Sequence, residues 1–258
     1  MKTGNTWQRI ALAIMALYIF VPLIGVVEFA LRMRRGVYSF DAFAEVFADD
    51  KFQETFLYSC AMAIITVVIA TCLIVPAAYA VRLHAPRLRS VIEFVTLLPL
   101  VVPAIVIVFG YIRLYGSDSF LPLTDSDLGS DALLALGYVT LALPYIYRSV
   151  DAGLTSMDVR TLTEAAESLG ARPITILLRV VLPNIRTAIL SGAFLTAAIV
   201  LGEFTFASLL DRPAFGPYMQ LLGANRAYEP AALSLVAFAL TWGLMVLIGA
   251  FGGRRSGT

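Results

Sequence analysis

Six stretches of this chain are each long and apolar enough to cross the hydrocarbon of a bilayer. They cover residues 10–29, 56–81, 91–115, 132–150, 185–210 and 232–251. A spanning helix needs about 20 predominantly apolar residues for a core about 30 Å thick. The composition agrees: 59% of the 258 residues are hydrophobic and 14% charged, with mean hydropathy +0.84, values of an inner-membrane protein and not of a soluble domain. The expectation is an all-α polytopic bundle of six transmembrane helices forming one membrane domain over 1–258. The first run is too long for a signal peptide, and no small-residue cleavage site follows Val27-Glu28-Phe29, so it reads as a retained helix.

Lys and Arg in the connections set the orientation. One side collects Lys2, Arg9, Arg82, Arg87, Arg89, Arg148, Arg160, Arg172, Arg179, Arg186, Arg254 and Arg255. The other holds Arg32, Arg34, Arg35, Lys51, Arg212 and Arg226, with Arg113 near it. Both termini and the 158–183 connection are therefore expected in the cytoplasm, with the Arg32–Arg35 cluster as the one feature against. A net charge of +1, without a basic patch interleaved with aromatics, gives no footing for nucleic acid. Cys60 and Cys72 fall in one helix, about 18 Å apart at 1.5 Å per residue, and are not a disulfide pair.

The longest connection expected on the cytoplasmic side, Asp158 to Pro183, has a pattern of its own. Val159, Leu162, Ala166 and Leu169 recur at helical spacing, with Arg160, Thr163, Glu164 and Glu167 on the other face. Thr161 and Glu164 have capping-box spacing, while Asp158 fits an earlier start. Gly170 supplies a stop, Pro173 suits the first turn of a second short helix, and Pro183 breaks or kinks the helix beyond it. Glu164-Ala165-Ala166, Gly170 four positions on, and Val180-Val181-Leu182-Pro183 after nine more together resemble the EAA loop of permease subunits in binding-protein-dependent ABC importers. Val180 stands where the motif has Ile, and Leu177 where an aromatic is frequent. The wider resemblance covers about Phe56 to Leu210.

That resemblance implies a type I ABC importer fold in a bacterial inner membrane. It implies a second, like or homologous permease chain, two ATPase subunits that bind ATP and Mg, and an extracytoplasmic solute-binding protein. Glu164, Ala165, Ala166 and Gly170 would form the contact with the ATPase, completed by Leu182 and Pro183. The chain has no GxxxxGK loop, and its two lysines, Lys2 and Lys51, lie in no phosphate-cradling motif, so no cofactor is expected on this chain itself. HExxH, GxSxG and Cys-x-x-Cys are absent too, and no metal site or catalytic residue is expected. A self-contained channel or secondary transporter is the alternative.

Candidates for the translocation path come from irregularities inside the runs. Pro99 and Pro103 each remove a backbone donor, so the third helix should bend or unwind, either packed in protein or lining a watery cavity. Tyr111 and Tyr115 belong to an aromatic belt near the outer interface. Glu203, beside Gly202 in Val-Leu-Gly-Glu-Phe, is costly in lipid and should face a cavity, the bundle interior or a polar partner such as Arg113. Ala193 and Ala197 permit close helix approach. Phe40, Phe43, Val46 and Phe47 mark a short external helix that either meets the binding protein or rests on headgroups. The acidic Gly116–Asp131 loop reads as solvated, since its spacing is not that of a calcium loop. LGEF and the short chain resemble permeases for polyamines, ferric iron, thiamine or aminophosphonates. An acid in the path tilts the expectation toward a polyamine-like cation.

Overall fold

Long apolar runs form long helices even across the internal prolines Pro22, Pro76 and Pro144, and the computed structural model describes residues 3–34 and 36–252. Lys2, Arg35, Arg254 and Arg255 of the charge count lie outside the described residues. In chain order the helices begin with α1 (Thr3–Leu31), α2 (Asp41–Ala48), α3 (Asp50–His84), α4 (Arg89–Val101), α5 (Ala104–Tyr115) and α6 (Asp127–Thr155). They continue with α7 (Val159–Ser168), α8 (Pro173–Ile176), α9 (Leu182–Asn184), α10 (Arg186–Gly202), α11 (Thr205–Leu209), α12 (Phe215–Asn225) and α13 (Glu229–Gly252). Among the described residues no strand forms beyond the single bridge Arg34–Val37.

The chain divides into two compact units, one of residues 1–53 with 218–242, the other of 54–217 with the chain from 243 onward. In the first unit, an 18-residue stretch within Trp7–Leu31 of α1 has a mean hydropathy of 2.7 and none of that stretch is buried. A continuous apolar surface of that size matches lipid or another protein, not water. Where α1 ends, Arg32 pairs with Glu28 at 2.5 Å and Arg34 pairs with Asp41. Two arginines of the 32–35 cluster thus carry acidic partners, although such exposed pairs contribute little stability. In α2 it is Ala42 and Val46 that are buried, whereas Phe40 and Phe47 are exposed, so the apolar face is narrower than the aromatic spacing suggests. Small residues make this packing possible: Ala30, Ala42 and Ala232 meet under Phe43, Tyr228 and Leu235. The Tyr218 hydroxyl donates to Asp49 at 2.9 Å, and burial together with that carboxylate pushes the phenol up to about 12.

The second unit is organised around α6. Among the described residues, three single helices are long and apolar enough to span, and of these α6 has the lowest hydropathy, 1.3, and the highest burial, 61%, over an 18-residue stretch, because its neighbours cover it. One end packs Tyr147, Val150 and Leu154 against Tyr79, Val159, Ile176 and Ile185. The other packs Leu134 and Tyr138 against Val108, Val200 and Phe206. α10 approaches α6 closely at two glycines: a Cβ at Gly192 would stand 3.1 Å from the Ser149 Cβ, and one at Gly153 only 2.6 Å from the Ala188 Cβ.

Charged clamps hold both ends of α6. At its N-terminus Arg212 reaches Asp127 at 2.6 Å and Asp131 at 2.7 Å, and the Tyr58 hydroxyl donates to Asp131 at 2.5 Å. At its C-terminus Arg82 reaches Asp151 at 3.3 Å and donates to Thr155 at 2.8 Å, while Arg89 donates to Asp151 at 2.9 Å. Part of the acidic 116–131 stretch is therefore structural. Cys60 and Cys72, both on α3, are free.

Two of the six apolar runs are not single helices. The 91–115 run breaks at Val102-Pro103, and its halves meet at 97°. Pro103 has no N–H for a continuing helix, so α4 stops before it and α5 starts after it, while Pro99 is accommodated inside α4. The 185–210 run stops at Gly202 and restarts at Thr205. Upstream, Pro173–Asn184 meets α10 at 76°.

Candidate functional site

The 158–184 segment is built by local rules. Asp158 is the N-cap of α7: its carboxylate accepts from the Thr161 N–H at 3.2 Å and the Thr161 hydroxyl at 2.7 Å. Thr161 is thus spent on the cap and forms no box with Glu164. Those bonds, the hydroxyl first and the backbone second, hold the Asp158 carboxyl below its ordinary 3.8. α7 ends in a Schellman turn. Gly170 takes a φ of +78°, its N–H donates to the Glu167 carbonyl at 2.8 Å, and the Ala171 N–H reaches back to Ala166 at 3.0 Å. Pro173 then occupies the first turn of α8 behind an extended Arg172.

From α8 to α9 the helix is continuous but passes through a π turn at Leu177–Val181, where the Leu182 N–H bonds five residues back to Leu177. Pro183 lacks the N–H that would satisfy the Arg179 carbonyl, which places the loosened turn just ahead of it. Asn184 bonds the Val180 carbonyl through its side chain at 2.7 Å, and the 76° bend comes directly after.

Burial divides this segment into an anchored face and a free face. Val159, Thr163, Ile176 and Val181 are buried, and Ala166 and Leu182 half-buried, on the cluster formed by α3 and α6. Glu164, Ala165, Glu167, Gly170 and Pro183 are exposed, as are Leu169 at 88%, Ile174 at 59% and Leu178 at 54%. This corrects the helical-wheel expectation: Leu162 and Leu169 point outward and Thr163 inward. Thr163 can be buried because its hydroxyl donates to the Val159 carbonyl at 2.7 Å and meets the Tyr79 hydroxyl at 3.1 Å. The free face carries two carboxylates beside three large aliphatic side chains, a combination that suits a protein partner better than water.

The path candidates gather around the two helix breaks. Pro103, Ala104 and Ile105 face Phe204, Thr205, Ser208 and Leu209 across an open depression of about 550 Å³. Pro99 lies one turn away within α4, and Gly202, the last residue of α10, leaves open space on its exposed side. Glu203 is only 9% exposed, and its partner is neither Arg113 nor solvent. Both of its carboxylate oxygens accept from the Phe206 N–H at 3.0 Å, and one stands 3.4 Å from the Ala207 nitrogen. The acid serves as a cap at the start of α11. Tyr111 is turned inward: its ring packs 5.9 Å from Phe206 and its hydroxyl lies 3.4 Å from Thr140, so it belongs to the core and not to an interfacial belt. Sequence reasoning missed Tyr79, Asp151 and Arg212. Their partners are far along the chain, and the only available hint was that each is polar at the edge of an apolar run.

Broken apolar helices around a shared depression, together with a capped helix–glycine–helix presented from one edge, define a membrane transport protein. The chain belongs to the family of binding-protein-dependent transport system inner membrane components, whose pattern matches residues 70–254. It is 26% identical over 241 residues to the spermidine/putrescine transport system permease protein PotC of Haemophilus influenzae, covering 89% of this chain and 90% of that one. It is 27% identical over 212 residues to the sulfate transport system permease protein CysW of Synechocystis, covering 80% and 75%. A permease chain in the crystal structure of a bacterial alginate ABC transporter, solved with an alginate pentasaccharide-bound periplasmic protein, superposes with a TM-score of 0.72 at 16% identity over 99% of this chain and 96% of that one. The fold is that of type I ABC importer permeases, and the chain is a multi-pass inner-membrane permease subunit of an ABC importer.

Proposed function

We propose that this chain forms half of the translocation path of an ATP-driven importer and receives the ATPase stroke through residues 158–183. The observation that carries this reading is the split of α7–α9 into a face locked on α3 and α6 and a face of Glu164, Glu167, Leu169, Ile174 and Leu178 left outside. Fully burying one such aliphatic side chain is worth about 1.5–3 kcal/mol. A groove on an ATPase subunit with a basic rim would match both the carboxylates and the aliphatics. Ala165 and Ala166 keep the helix thin, and Gly170 fixes the angle between its two halves.

In this reading ATP and Mg sit on two separate ATPase chains, a second permease chain completes the path, and an extracytoplasmic solute-binding protein delivers cargo. The chain itself is not a catalyst. With six crossings, the third and fifth of them broken, both termini and the 158–183 segment would lie in the cytoplasm, an orientation that the Lys and Arg distribution supports. The cargo is a small charged solute that passes the depression between Pro103 and Phe204. A polyamine-like cation keeps the support of the spermidine/putrescine relative and loses that of Glu203, whose oxygens are engaged by amides. The sulfate relative shows that this framework is compatible with the opposite charge.

Affinity purification of the tagged chain from its native membrane tests the proposal. Stoichiometric recovery of an ATP-hydrolysing subunit, lost in Glu164→Lys, is expected. A chain that purifies alone and transports alone would instead be a channel or secondary transporter.

A further inference from the structure

We propose that Tyr79 and Thr163 form the positioning contact through which the 158–184 segment drives α3. This rests on the coupling role proposed above and names the route by which the stroke enters the bundle. α7 is joined covalently to α6 and α8, whereas α3, at 35 residues the longest helix among the described residues, meets α7 through side chains alone. The Tyr79–Thr163 pair bridges that gap across 84 positions of sequence, with both residues buried.

The direction of the bond is set by its surroundings. The Thr163 proton goes to the Val159 carbonyl at 2.7 Å, so the Tyr79 hydroxyl is the donor and Thr163 Oγ1 the acceptor. Tyr79 stands one helical turn before Arg82, which grips Asp151 and Thr155 on α6. The end of α3 therefore holds α6 by charge and α7 by a hydroxyl pair, and the Tyr79 ring packs in the same cluster as Val159 and Ile176. A push on the free face of α7 passes into α3 without repacking the core.

Tyr79→Phe isolates the link. The ring stays, Thr163 keeps its bond to Val159, and no buried polar group is orphaned, so only the tie from α3 to α7 is lost. The test uses the complete transporter in proteoliposomes, and the probe is Mg-ATP hydrolysis with and without the solute-binding protein. Tyr79→Phe should reduce the stimulation by the binding protein about fivefold, the scale of one ordinary hydrogen bond, with ATPase recovery and basal hydrolysis unchanged and the melting temperature lowered by no more than one hydrogen bond accounts for. Thr163→Ser, which keeps the hydroxyl, should retain stimulation. Wild-type stimulation in Tyr79→Phe overturns the proposal, and so does a loss that appears only together with lost subunits or equally in Thr163→Ser. If the wild-type chain recovers no ATPase at all, the coupling role itself has failed.

Discussion

Both carboxylate oxygens of Glu203 stand 3.0 Å from the backbone nitrogen of Phe206. The acid within the fifth apolar run thus closes a helix start. An unsatisfied buried N–H costs about 1–3 kcal/mol, and Glu203 removes that cost where α10 ends and α11 begins. Glu203→Ala should destabilise the solubilised protein by about 1–2 kcal/mol, the range of lost caps, while Glu203→Gln, which keeps one acceptor oxygen, should stay within about 1 kcal/mol of the parent. Thermal melting in detergent decides it. A normal melt for Glu203→Gln with transport of a cationic solute abolished would show that the charge acts on cargo.

Gly170 fixes the geometry of the free face. A Cβ there meets nothing within 4 Å, yet the φ of +78° disfavours any side chain. Gly170→Ala should cost about 1–2 kcal/mol locally through left-handed strain and weaken ATPase association. Gly170→Pro cannot take this φ and should abolish binding-protein-stimulated ATP hydrolysis while solute capture by the binding protein persists. Hydrolysis at the parental level in Gly170→Pro would remove the turn from the mechanism.

Leu169 is 88% exposed and contributes nothing to this chain's own core. Leu169→Glu should leave the melting temperature unchanged and lower affinity for the ATPase at least about tenfold, from a desolvation loss of about 1.5 kcal/mol or more. Titrating purified ATPase onto the permease in nanodiscs measures it.

Acid should loosen the start of α7. The Asp158 carboxyl is held below its ordinary 3.8 by the Thr161 hydroxyl and N–H. A depressed folded value means that the cap's contribution is complete above the ordinary value and is lost as pH falls through the lowered one. Hydrogen exchange of the Thr161 amide should therefore show the same protection at pH 7 and pH 5 once intrinsic rates are corrected. Protection should fall only below about pH 3.8. Asp158→Ala should be unprotected at all pH values.

How much was legible depends on which interactions are local. Hydropathy locates the long helices because lipid selects continuous apolar runs, and Pro103 announces the break between α4 and α5 because a missing N–H is written in the residue type. Asp158 announces the start of α7, and Gly170 and Pro173 announce the turn between α7 and α8, for the same reason. The end of α10 at Gly202 is hidden, since the run stays apolar through Leu210 and the Glu203 cap is visible only once its oxygens face the Phe206 amide. Thr163 and Leu169 exchange the faces a helical wheel assigns them, because a threonine that bonds its own i−4 carbonyl can be buried. Arg212 with Asp127 and Asp131, and Arg82 with Asp151, are long-range pairs that spacing cannot reveal.

Photo-crosslinking from position 169 in intact membranes tests the central claim most directly. The account predicts an adduct between this chain and a separate ATP-hydrolysing subunit from a photoreactive residue at Leu169, and none to that subunit from the same residue at Tyr228. Adducts from 169 only to lipid, or to an extracytoplasmic protein, would contradict it.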